Sequence, residues 1–167
     1  MRIDYTVTSS DFISGGWLSL RKGPLRLSFQ FYFVFGIAIL SSIMGLVLAF
    51  HSNQSQSQAF PEFLIGGIVL AMHFFTKRSA LKKLFQRLPL LHLPTSLDID
   101  GSALRFVTAD SDQRLSWRVY YAFAENKKVF DIFPKGHEGF TPIPKSQLTE
   151  IQITELRSHL EANLKRK

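Results

Sequence analysis

The sequence predicts a two-helix membrane hairpin joined to a small α+β cytoplasmic domain, an antiparallel meander sheet closed by a C-terminal helix. Three observations carry this. Leu27 to Phe50 holds no charged residue, Phe63 to Phe75 has His73 as its only ionisable group, and beyond Leu97 short strands alternate with turn signals before a final amphipathic helix. A helix needs about 20 apolar residues to cross a bilayer's hydrocarbon core.

The first segment is 1–24. Ile3, Tyr5 and Val7 alternate as in a strand, and Ser9 or Ser10 is placed to cap a short helix from Asp11 through Phe12, Trp17 and Leu18, weakened by Gly15 and Gly16. Whether this strand joins the C-terminal sheet is open. Transmembrane helix 1 is expected over 25–50, an extracytoplasmic Ser/Gln-rich linker over 51–60 and transmembrane helix 2 over 61–76. A signal peptide would have a shorter apolar region nearer the N-terminus. The second run is short for a span, and a re-entrant segment is the other reading of it.

Charge sets the expected topology. Arg21, Lys22 and Arg26 precede the first run, the basic cluster Lys77, Arg78, Lys82, Lys83 and Arg87 follows the second, and 51–62 has neither Lys nor Arg. Both termini are therefore expected in the cytoplasm of a multi-pass protein of the inner membrane. Small residues recur at helical spacing, Ser41, Gly45 and Ala49 in the first run and Gly67 and Ala71 in the second. That pattern lets two helices pack closely, within the hairpin or in a homodimer.

Over 77–95, Leu81, Leu84, Phe85 and Leu88 form one stripe of a basic amphipathic helix, ended by Pro89 and Pro94. Its five basic residues are candidates for contact with anionic headgroups. The 167-residue chain carries a net charge of +7, and this cluster supplies most of it. From Leu97 onward eleven Lys or Arg face ten Asp or Glu. A nucleic-acid binder would put its basic surface on the folded domain, so nucleic acid is not an expected partner.

The segment 96–167 reads as strands at Leu97 to Ile99, Ala103 to Thr108, Arg114 to Phe123, Val129 to Phe133 and Phe140 to Ile143. Asp100-Gly101 is a hairpin turn signal. Thr149 with Gln152 forms a capping box ahead of a helix with Ile153, Leu156, Leu160 and Leu164 on its apolar stripe.

The Asp100-Gly101 turn, Ser116-Trp117-Arg118-Val119, the aromatic strand Val129 to Phe133 and Ile143-Pro144-Lys145 resemble the YcxB-like family of bacterial membrane proteins. Tyr5-Thr6-Val7-Thr8 with Asp11-Phe12 is also similar. The resemblance implies a hairpin anchor with a pleckstrin-homology-like cytoplasmic domain, in which Asp100, Gly101, Trp117, Pro144 and Lys145 are structural motif positions. Arg118 stands where the family tends to have an acid, and Ser146-Gln147-Leu148 replaces a more basic aromatic stretch. The family implies no established reaction.

No catalytic constellation is legible. Cysteine is absent, which excludes disulfides, thiolate metal sites and a cysteine nucleophile. The five histidines, His51, His73, His92, His137 and His159, lack metal-ligand spacing. Asp98 and Asp100 read as turn chemistry, so no catalytic, metal or cofactor residue is assigned. The expectation is a non-enzymatic, membrane-anchored interaction or regulatory module that meets the lipid bilayer and an unknown protein partner. The alternatives are an accessory subunit of a transport or envelope assembly, contributing its helix hairpin, and an enzyme of unrecognised type.

Overall fold

The computed structural model describes residues 1–22, 33, 36, 37, 39–41, 43, 44, 47, 56–136 and 139–167. The chain divides into two compact units, Met1–Pro24 with Leu81–Lys167, and Leu25–Ala80. Residues 1–24, whose pairing with the C-terminal sheet the sequence leaves open, thus belong to the same unit.

In that unit β1 (Arg2–Tyr5) leads into α1 (Ser9–Lys22). After α2 (Gln56–Arg87), of which Leu81 onward belongs here, β2 (Thr95–Ile99), β3 (Ala103–Val107) and β4 (Asp112–Ser116) complete an antiparallel sheet of order β1-β2-β3-β4. The N-terminal strand takes the edge, with Ile3 opposite Leu97. A second sheet holds β5 (Tyr120–Glu125), β6 (Val129–Pro134), β7 (Thr141–Pro144) and β8 (Lys165–Arg166) in the order β7-β6-β5-β8. The β5–β8 pair is parallel. Between β7 and β8 lies α3 (Glu150–Asn163).

The strand expected over Arg114 to Phe123 is broken, and the meander becomes two sheets. At Trp117–Val119 the chain makes one 3₁₀ turn, where the Ser116 hydroxyl accepts from the Arg118 N–H at 3.4 Å. The Trp117 indole is buried and donates to the Asp100 carbonyl at 3.0 Å, which ties this corner to the β2–β3 turn. In that turn Asp100 Oδ1 accepts from the Ser102 and Ala103 N–H groups, both at 2.7 Å. Gly101 is not in the left-handed region, so the side chain of Asp100 shapes the reversal.

Alternation dictates the core. Ile3, Tyr5, Leu97, Ile99 and Leu104 from the first sheet meet Phe123, Phe130, Ile132 and Ile143 from the second, and Leu156 and Leu160 of α3 pack into the same cluster. The capping box at Thr149 and Gln152 forms. The other face of the second sheet buries Ala122, Ala124, Val129 and Phe133 with Leu18 of α1. Central β6 is therefore covered on both faces, which its nearly unbroken apolar run requires.

The two glycines expected to weaken α1 are what seat it. A Cβ at Gly15 would lie 2.6 Å from Asp131 Oδ1 and 2.8 Å from a Phe140 ring carbon, and one at Gly16 would lie 2.6 Å from both Leu81 methyls. One turn earlier, Phe12 packs on Phe85 and Phe140, with ring centroids 5.5 and 5.1 Å away.

The predicted membrane hairpin is overturned. Among the described residues no helix is long and apolar enough to cross a membrane. The Phe63 to Phe75 stretch of α2 measures about 20 Å at 1.5 Å per residue, against roughly 30 Å of hydrocarbon core, and the helix runs on through the five basic positions. The first predicted span, 25–50, falls mostly outside the described residues. The multi-pass inner-membrane localisation, which rested on both runs spanning, is corrected with it.

In the unit Leu25–Ala80, Gly67 and Ala71 are exposed, and a Cβ at Gly67 would meet nothing within 4 Å, so this pair forms no close helix contact among the described residues. Ser41 donates to the Ile37 carbonyl at 2.9 Å, while Gly45 and Ala49 lie outside the described residues. Leu40, Met44, Met72 and Phe75 are exposed.

The different neighbours of the two glycines predict different effects. Gly16→Ala meets the mobile end of Leu81 and is expected to shift Tm little. Gly15→Ala meets a buried carboxyl and a packed ring, and is expected to destabilise by about 1–3 kcal/mol, as overpacking does, in chemical denaturation.

Candidate functional site

Three connections converge on a cleft of about 600 Å³ within the sheet unit. The β1–α1 turn supplies Thr8, Ser10 and Asp11, the β5–β6 turn Lys127 and Lys128, and the β7–α3 segment Lys145, Ser146, Glu150, Ile153 and Arg157.

Each connection is fixed by its own polar contacts. Thr8, rather than the expected Ser9 or Ser10, caps α1: its hydroxyl accepts from the Asp11 N–H at 3.2 Å, while Asp11 Oδ2 accepts from the Thr8 hydroxyl at 2.6 Å and the Thr8 N–H at 3.1 Å. In the β5–β6 turn Asn126 Oδ1 accepts from the N–H groups of Lys128 and Val129 at 2.8 and 2.9 Å. Its amide nitrogen donates to the Ser14 hydroxyl at 3.1 Å, which anchors the turn to α1. The Gln147 side chain bridges both backbone groups of Thr6, accepting at 2.9 Å and donating at 2.8 Å.

The base of the cleft is an ion-pair cluster centred on Glu125. Lys145 Nζ donates to Oε1 at 2.5 Å and to the Asn126 carbonyl at 2.7 Å, and sits 4.4 Å from the centroid of the Phe130 ring. Arg157 donates through Nη2 to Oε1 at 2.6 Å and through Nε to Oε2 at 3.1 Å, and Arg166 of β8 reaches Oε2 at 3.2 Å. The side chains of Glu125 and Lys145 are only 9% and 12% exposed, so the charges attract through protein more than through water. Hydrogen bonds from Arg157 and Lys145 hold the Glu125 carboxyl down at about 2. Lys128 Nζ donates to the Ser10 hydroxyl at 3.2 Å, and Lys127 is exposed with no ion pair among the described residues.

A second carboxyl is in the opposite condition. Asp131 of β6 is wholly buried under Gly15, and among the described residues neither of its oxygens has a hydrogen-bond partner. Desolvation pushes its pKa up to about 8. It therefore sits uncharged beneath α1 at neutral pH.

Of the site residues expected from sequence, Lys145 is the one on this cleft, which Ser10, Asp11 and Ile153, expected only as helix residues, also line. Pro144 is buried at the end of β7, and Asp100, Gly101 and Trp117 form the β2–β3 corner. Arg78, Lys82, Lys83 and Arg87 are exposed and Lys77 half-buried on α2. Glu125, Lys127, Lys128 and Arg157 were not picked out. Lys127-Lys128 at a turn was the available signal for the cleft, and an acid inside Val129 to Phe133 the signal for Asp131.

No family model, curated protein or solved structure matches the chain.

Glu125→Gln would leave three cations sharing one neutral partner, and is expected to cost about 3 kcal/mol at pH 7 in urea unfolding. The Glu125 carboxyl lies below its ordinary value, so its contribution is present above pH 4.5 and fades as pH falls towards 2. Acid sensitivity in that window is expected to diminish in the variant.

Proposed function

We propose that this protein is a recognition module without catalytic activity that holds an anionic group of a ligand or partner in the cleft between α1, the β5–β6 turn and α3. One observation carries the reading. Lys127, Lys128 and Arg157 line a single cavity, where, among the described residues, Lys127 has no acid partner and Lys128 is engaged only by a hydroxyl. A cleft of about 600 Å³ is within the range of small-ligand sites.

The state of the acids favours binding over chemistry. Glu125 is held ionised by three cations, which makes it a poor proton donor or acceptor near neutral pH. Asp131 is sealed from the cleft under α1, and Asp11 is committed to capping Thr8. Lys145 is pinned between Glu125, Asn126 and Phe130, where it contributes positive charge. The YcxB-like resemblance enters the proposal through the sheet-and-helix unit, in which Lys145 and Trp117 hold the architecture that presents the cleft.

A ligand that binds only the folded state raises stability by about 2.7 kcal/mol at a hundredfold excess over Kd. Thermal unfolding of the full chain in sulfate, compared with chloride at equal ionic strength, is expected to show a rise in Tm that the Lys127→Gln/Lys128→Gln variant lacks. Equal rises in both proteins would mean a general salt effect and would refute a specific anion site.

A further inference from the structure

The cleft is not uniformly positive. Glu150 shares it with Lys127, Lys128 and Arg157, is exposed, and makes no ion pair among the described residues. Arg157 gives Nε and Nη2 to Glu125, and Nη1 has no acceptor among the described residues. Ile153 adds an apolar surface. A carboxylate on the wall, here acting on Arg157 by its charge and set in the first turn of α3, weakens the field that a simple anion needs.

The cavity can satisfy both signs at once. Its volume far exceeds one tetrahedral anion, for which Lys127, Lys128 and the outer nitrogen of Arg157 suffice. A second ligand group then lies among the remaining residues, where Glu150 accepts hydrogen bonds and offers none. We infer that the ligand is a small zwitterionic organic phosphate, with its phosphoryl group on Lys127, Lys128 and Arg157 and its ammonium group on Glu150. This rests on the anion-binding reading above and adds the identity of the second group. Lys145 and Glu125 stay paired beneath it and keep Arg157 in position.

The two levels separate in a titration of the full chain followed by backbone amide shifts, with inorganic phosphate, phosphoethanolamine and ethanolamine as probes. Both phosphates are expected to shift amides at Ser10, Lys127 and Ser146, with phosphoethanolamine tighter by about tenfold, the factor for one charge-assisted hydrogen bond. Ethanolamine alone should not bind. Glu150→Gln should remove the preference by weakening phosphoethanolamine while tightening inorganic phosphate, a crossing of affinities that general loss of structure cannot produce. Lys127→Gln/Lys128→Gln should weaken both phosphates, and Arg118→Gln, outside the cleft, neither. Equal affinities of wild type for the two phosphates would overturn the zwitterion inference and leave the anion site standing. Absence of shifts at the cleft with either phosphate would overturn both.

Discussion

A helix glycine lies over a buried, unpartnered carboxyl, and much of the sheet unit depends on that contact. Nothing larger than glycine fits between the α1 backbone and Asp131, because a Cβ at Gly15 would overlap both the carboxyl and Phe140. With Gly15 and Gly16 in place, α1 lies between the outer face of the second sheet and Leu81, and Phe12 and Leu18 reach the two apolar clusters. The low helix propensity of the glycines is offset by the area that this close approach buries.

The same docking assembles the cleft. The first turn of α1 brings Thr8, Ser10 and Asp11 to the cavity, Ser14 receives the Asn126 side chain, and the β5–β6 turn is thereby held with Lys127 and Lys128 at its apex. At the base of the cleft the Glu125 cluster ties β5 to Lys145 after β7, to Arg157 on α3 and to Arg166 on β8. One carboxyl is stabilised by being charged and surrounded by cations, the other by being neutral and dry. Two acids on adjacent strands therefore serve opposite purposes through their surroundings alone.

Local signals were readable in the sequence where the residues nearest in the chain decide the structure. The Thr149–Gln152 capping box and the Leu156–Leu160 stripe belong to that class, as does the Asp100 turn. Contacts between distant segments were not readable. Gly15 and Gly16 read as weakening the helix because their value lies in Asp131 and Leu81, and Trp117 read as part of a long strand because its corner depends on the Asp100 carbonyl. Glu125 ends an apolar strand and looks ordinary until Lys145, Arg157 and Arg166 arrive beside it. The apolar content of 61–76 misled for another reason: composition measured how apolar that run is, while the uninterrupted helix of α2 carries its short apolar stretch straight into a basic one.

Urea unfolding as a function of pH shows whether α1 seals an uncharged Asp131. A carboxyl at about 8 when folded and 3.8 when exposed keeps its proton in the native state while the unfolded chain releases it. Stability should therefore fall as pH rises from 5 to 8, by about 4 kcal/mol, and level off above. Asp131→Asn should flatten that slope and leave the protein more stable than wild type at pH 8. Parallel profiles for the two proteins across this range would contradict the account, since they would mean that Asp131 is solvated or paired and that α1 does not close over it.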